Sequence, residues 1–197
     1  MLMAVINKSE FKGLQEELEQ FDQLRDSVIK ESREVVKLSK KMIYGVHRNE
    51  LHKAEKVKEI MKKALHKLQA KAKQSPALQF SGSCKIAEQE YVEAVCFLHF
   101  MKDKTLPSVK DLGVQAENYL LGICDLTGEL MRKAINASIK ENYEVTEEIW
   151  EFLQQLYEEL MLFDFRNSEL RRKFDSIKYN LQKVEHVVLE LKLKNRR

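Results

Sequence analysis

The sequence predicts an all-α protein, an up-and-down bundle of about six long helices forming a single domain over residues 1–197. Turn residues are scarce: six Gly and two Pro occur in 197 residues. That is about 4 %, against roughly 12 % in ordinary proteins. A β-sandwich or barrel needs a turn residue about every 8–12 positions, more than this chain supplies. Charged residues make up 33 % and hydrophobic residues 44 %, a balance that suits long amphipathic helices. Apolar residues also recur at i, i+3, i+4 and i+7 along nearly the whole chain.

The elements follow in order. Ser9 is placed to cap a first helix, whose stripe Leu14, Leu18, Phe21, Leu24 and Val28 continues towards Ile43. Gly45 is the first expected break. A second helix is expected from about Arg48 to Lys73. The stretch Gln74 to Ser83, with Pro76, Gly82 and three serines, reads as a loop. A third helix spans about Cys84 to Lys102, and a connection with Pro107 runs to Gly113. A fourth covers about Val114 to Asn142 and a fifth Thr146 to Phe165. The sixth runs from Ser168 to Leu193, with Asn167 as its cap.

Several function classes drop out. No G-x-G-x-x-G or G-x-x-x-x-G-K motif occurs, so no glycine-rich phosphate loop is expected. No apolar run approaches the roughly 20 residues of a membrane span, and Met1 to Ser9 does not read as a signal peptide. Cys84, Cys96 and Cys124 lack C-x-x-C spacing and fit buried thiols in a reducing cytoplasm. The net charge is only +3, yet it is segregated. Residues 53–73 hold eight lysines, whereas residues 141–164 hold seven Glu and Asp164 with no Lys or Arg. Solvated helix faces explain either run; surfaces that meet between subunits, or a basic face along a phosphate backbone, are the sharper readings.

The chemistry lies in carboxylates on apolar faces. The third helix carries the stripe Ile86, Glu90, Glu93, Phe97, Phe100, with apolar neighbours all round. The fourth carries Asp125 and Glu129 at i, i+4 among Leu121, Ile123, Cys124, Leu126, Leu130 and Met131. Gly122 and Gly128 bracket Asp125 at a cost of about 1 kcal/mol each in helix propensity, which predicts close approach of a neighbouring helix or ligand. Buried like charges need a cation or a proton. Four inward carboxylates make an oxygen-rich site suited to Mg²⁺ or Mn²⁺, ions that activate water and stabilise phosphoryl charge. A di-iron bundle would want Glu-x-x-His motifs, which are absent. A structural reading pairs the carboxylates with Arg132, Arg33 or Lys40. His47, His52 and His66 read as solvated.

The windows Glu90-Tyr-Val-Glu93-Ala-Val and Tyr119-Leu-Leu-Gly-Ile-Cys-Asp125-Leu-Thr-Gly-Glu129-Leu-Met-Arg132 resemble the translin superfamily. So do Leu170-Arg-Arg-Lys-Phe-Asp-Ser-Ile-Lys-Tyr179, Lys183 to Leu191, and Ser39-Lys-Lys-Met-Ile with His47-Arg48. The carboxylates at 90, 93 and 125 match the Trax branch (translin-associated factor X) rather than translin itself, which has apolar or basic residues there. The resemblance implies a metal-dependent endoribonuclease acting on single-stranded RNA or short duplexes. Glu90, Glu93 and Asp125 would hold Mg²⁺ or Mn²⁺ and activate water, with Glu129 as a supporting ligand or base. Arg132, Lys40 and Lys41 would meet RNA phosphates. It also implies a closed helical shell around an RNA chamber. Without the insertions of the eukaryotic branch, the chain resembles a compact prokaryotic form that would assemble alone, as a homo-octamer. The other reading within the family is a non-catalytic RNA- or DNA-binding scaffold, and a pure binder has no reason to bury these acids.

Overall fold

The computed structural model describes residues 7–166 and 168–194. Among these there are helices and no strand. Six are long: α1 (Lys8–His47), α2 (Leu51–Ala72), α4 (Gly82–Asp103), α6 (Ala116–Ile139), α7 (Tyr143–Met161) and α8 (Glu169–Lys194). Two single-turn helices, α3 (Pro76–Gln79) and α5 (Val109–Leu112), lie in connections that the sequence reads as loops. Short polar sequences can still close one turn when a cap is present. Ser108 and Asp111 form a reciprocal capping box at α5, and Pro76 opens α3.

Helix ends differ from expectation for local reasons. Asn7, not Ser9, caps α1: its side-chain oxygen accepts from the amides of Ser9 and Glu10 at 3.2 and 3.3 Å. Gly45 does not break α1. A Cβ there would lie 3.6 Å from that of Ala54, so the glycine is where α2 crosses closely. The turn is made instead by Asn49 at φ 60°, a conformation Asn tolerates. Helix α6 ends at Ile139 because Glu141 turns left-handed at φ 59°. Helix α7 stops at Met161, and beyond it Phe165 folds onto Phe174 of α8 with ring centroids 5.2 Å apart. The predicted cap Asn167 lies outside the described residues.

Direction is set by paired contacts. Ser32 Oγ donates to the Ser83 carbonyl (2.7 Å) and, seven residues on, Ser39 Oγ donates to Glu90 (2.6 Å), so α1 and α4 run parallel. Asn118 reaches Glu88 at 2.7 Å, and Gly122 abuts Gln89 and Val92, so α4 and α6 also run parallel. The segment between them returns along α4, with Pro107 accepting from the Tyr119 hydroxyl at 3.0 Å. Helix α2 packs antiparallel on α1, with Gly45 against Ala54 and Glu31 bonded to Lys71, and α7 and α8 pack on α6. The core runs through the middle, with Met61, Leu68, Val92, Phe97, Leu126, Leu130, Ile149 and Ile177 buried. Each such side chain stabilises by about 1.5–3 kcal/mol.

The first third of α1 leaves this core. Phe21 and Leu24 are its first side chains packed on the core, so about 13 residues, roughly 20 Å, project beyond the bundle. Phe11, Leu14 and Leu18 lie exposed along one stripe. None of the described helices is long and apolar enough to cross a membrane.

Candidate active site

Parallel α4 and α6 bring the four predicted carboxylates together. Glu90 and Glu93 come from α4, Asp125 and Glu129 from α6, and all four are half-buried. Gly122 allows this. A Cβ there would stand 2.7 Å from the Gln89 carbonyl oxygen and 2.7 Å from Val92 Cβ, so the helices touch backbone to backbone. Gly128 has no such role, since its nearest neighbour would be Asn180 at 3.9 Å. The expectation of close approach therefore holds for one glycine of the two.

Three of the acids have partners. Glu90 accepts from Ser39 Oγ at 2.6 Å. Asp125 accepts from Lys173 Nζ of α8 at 2.5 Å, and that amine lies 3.4 Å from Gln89 Oε1. Glu129 pairs with His47 Nε2 and lies 3.8 Å from the Arg132 guanidinium. Glu93 makes no hydrogen bond among the described residues. Burial first, then the charges of Asp125, Glu90 and Glu129, push its carboxyl up to about 8, with Lys173 opposing. Burial also raises Asp125, against Lys173, while the His47 bond outweighs burial and lowers Glu129.

His47 corrects the sequence reading. It is not solvated: its side chain is 9 % exposed and its ring packs 4.9 Å from Phe97. The end of α1 that carries it is tied down by Lys133. That buried amine donates to the carbonyls of Val46 (3.1 Å) and His47 (3.4 Å) and to Asn49 Oδ1 (2.6 Å). Burial lowers the Lys133 pKa. Lys173, His47 and Ser39 escape sequence reasoning because each meets its acid across 48 to 82 residues of chain. Of the partners expected from sequence, only Arg132 pairs with the cluster; Arg33 and Lys40 form no salt bridge to it.

The predicted basic contacts are exposed. Arg132 lies over the Tyr44 ring at 5.9 Å. Lys40 borders an open groove of about 660 Å³ between α1 and α4, with Arg33, Lys37 and Ile86. Lys41 is exposed on α1 and makes no bond to the cluster. The cysteines are all buried, and burial lifts the Cys96 and Cys124 thiols to about 12, which argues against a thiolate nucleophile.

The donor set suits a hard divalent ion: four half-buried carboxylates, of which Glu93 receives no hydrogen bond or salt bridge among the described residues. Among the described residues no three acidic, His or Cys side chains already converge in a ligand-like arrangement. Lys173 holds Asp125 in an ion pair and His47 holds Glu129 by a hydrogen bond instead.

The Translin family model matches residues 23–195. An uncharacterized protein of Methanocaldococcus jannaschii is 32 % identical, over 83 % of this chain and 74 % of that protein. A Translin-associated protein X homolog of Schizosaccharomyces pombe is 29 % identical, over 91 % of this chain and 86 % of that protein. Among solved structures, AfC3PO in complex with duplex RNA matches with TM-score 0.86 and 26 % identity, over 94 % of this chain and 97 % of that one. Apo-NeC3PO matches with TM-score 0.86 and 29 % identity, over 95 % and 98 %.

Proposed function

Since the chain belongs to the Translin family and is Trax-like within it, we propose that it is an Mg²⁺- or Mn²⁺-dependent endoribonuclease. Its substrate is single-stranded RNA or short RNA duplexes. One observation carries the reading: four half-buried carboxylates lie near enough to repel one another, and one of them, Glu93, receives no hydrogen bond or salt bridge among the described residues. A structural acid is buried with donors, and this one is buried with other acids. The similarity to a C3PO chain solved with duplex RNA supports RNA as the ligand.

Glu90, Glu93 and Asp125 would hold the ion, with Glu129 supporting. The ion would supply Lewis acidity to the phosphodiester and to an attacking water. Without a cation, Glu93 retains a proton near neutral pH. Ser39 orients Glu90, and His47 orients Glu129. Arg132, exposed beside Glu129, offers its guanidinium to a phosphate, and Lys40 and Lys41 extend that contact along the strand. Assembly is a homo-oligomer, with an octamer as the expected count, in the cytoplasm. The unpartnered stripe of α1 (Phe11, Leu14, Leu18) supports self-association.

The second reading, a non-catalytic RNA-binding scaffold, draws on the bonds that Asp125 and Glu129 already make to Lys173 and His47. One experiment separates the two. Labelled RNA is incubated with the purified chain in Mg²⁺, in Mn²⁺ and in EDTA, alongside Glu93→Gln. Cleavage is expected only with metal, and a roughly thousandfold loss in the variant, equivalent to about 4 kcal/mol, with RNA binding retained. Binding without cleavage supports the scaffold. Cleavage in EDTA, or undiminished in Glu93→Gln, overturns the nuclease mechanism.

A further inference from the structure

Lys173 is the one ammonium bonded to the carboxylate cluster among the described residues. It comes from α8, whereas the acids come from α4 and α6. Its Nζ is 2.5 Å from Asp125 Oδ2 and 3.4 Å from Gln89 Oε1, and it makes no other hydrogen bond. Its neighbours Phe174 and Ile177 are buried and anchor the helix, while its own side chain is 26 % exposed. The backbone is therefore fixed and the ammonium can move.

We propose that Lys173 is a resident counter-ion of the carboxylate cluster, which a divalent cation displaces from Asp125 on binding, so that Lys173 sets the affinity of the cluster for the ion. This rests on the cluster being a metal site. An ammonium and a divalent ion on one carboxylate oxygen repel strongly in a half-buried pocket. Glu169 lies four residues before Lys173 on α8, in the favourable i, i+4 Glu-to-Lys order. The charge of Glu169 is already felt at Asp125. The displaced ammonium thus has a second acid within one turn, at the solvent edge.

The device gives Asp125 a counter-charge when no metal is bound. Loading then costs one ion pair and releases one carboxylate.

The test uses the full chain and Mn²⁺ alone, titrated at pH 8 by calorimetry or spin resonance. Lys173→Met is expected to bind Mn²⁺ about tenfold tighter than the wild type, and Lys173→Arg, which keeps the charge, within about twofold of it. Should Lys173→Met fail to fold, Lys173→Gln serves in its place. A variant-free measurement follows the side-chain ¹⁵N resonance of Lys173, located by its absence from Lys173→Arg. It is expected to move on Mg²⁺ saturation. Unchanged or weaker Mn²⁺ binding without the charge, or a resonance indifferent to Mg²⁺, overturns the proposal. A merely structural lysine predicts weaker binding, the opposite sign. Mn²⁺ binding that Glu93→Gln abolishes keeps the metal site even if Lys173 fails; no Mn²⁺ binding at all removes both.

Discussion

Helices α4 and α6 carry two buried acidic sites, five residues apart along α4, and the two are built on opposite principles. Glu88 is 7 % exposed and receives three donors: Gln69 Nε2 at 2.8 Å, Asn118 Nδ2 at 2.7 Å and the Gln115 amide at 3.4 Å. No second acid shares that bond network. Glu93 is half-buried, receives no donor among the described residues, and faces three carboxylates. A carboxylate given amide donors is a tie between helices. A carboxylate given only other carboxylates lowers stability, and such strain in a fold marks a site with another purpose.

The largest way to break this contrast is through pH. The folded-state pKa of Glu93 is raised from 4.5 to about 8. Between these values the folded chain binds more protons than the unfolded one, so this group's contribution to stability falls as pH rises from about 4.5 to about 8. Glutamine mimics the neutral acid and has no such slope. In EDTA, Glu93→Gln should match the wild type near pH 5 and exceed it at pH 9, by on the order of 3–5 kcal/mol. Denaturant midpoints across pH measure this. Parallel curves would mean that Glu93 is not among like charges.

Glu88→Ala should do the reverse. It strands the amides of Gln69, Asn118 and Gln115, and should destabilise by about 3 kcal/mol at every pH from 6 to 9. Urea unfolding of the two variants side by side should give opposite signs at pH 9. Stabilisation by Glu88→Ala would erase the distinction between tie and site.

The fold was legible because few residues could interrupt it. With so little Gly and Pro, apolar periodicity marks the helices and the few Gly and Pro mark most of the connections, and six long helices form. The four cluster acids were legible because the Ile86, Glu90, Glu93, Phe97 stripe and the Asp125, Glu129 pair break an apolar pattern. Glu88 was not, since it lies off that stripe and its exposed-looking position is covered only by α2 and the start of α6. Nor were the partners. A histidine among lysines at residue 47 looks solvated until α4 brings Phe97 and α6 brings Glu129 against it. Helix ends were misread by two to four residues where a left-handed residue (Asn49, Glu141) or a side-chain cap (Asn7) decided them. Those are choices between near-equal local geometries, settled by packing.

The smallest effect sharpens the comparison, because both acidic sites depend on one approach. Gly122 lies between Asn118, which bonds Glu88, and Asp125, which faces Glu93. An added Cβ meets a backbone carbonyl at 2.7 Å, which cannot swing aside as a side-chain tip would. Gly122→Ala should therefore cost about 1–2 kcal/mol net, the overpacking strain less the roughly 1 kcal/mol gained in helix propensity. Gly128→Ala meets nothing nearer than 3.9 Å and should gain up to about 1 kcal/mol. Separating the helices by a few tenths of an ångström also separates Asp125 from Glu93. The repulsion on Glu93 then weakens, and the gap between wild-type and Glu93→Gln stability at pH 9 should narrow in the Gly122→Ala background. The two mutations are thus non-additive. Full additivity in that double-mutant cycle would mean that the spacing of α4 and α6 at Gly122 does not set the charge density of the cluster.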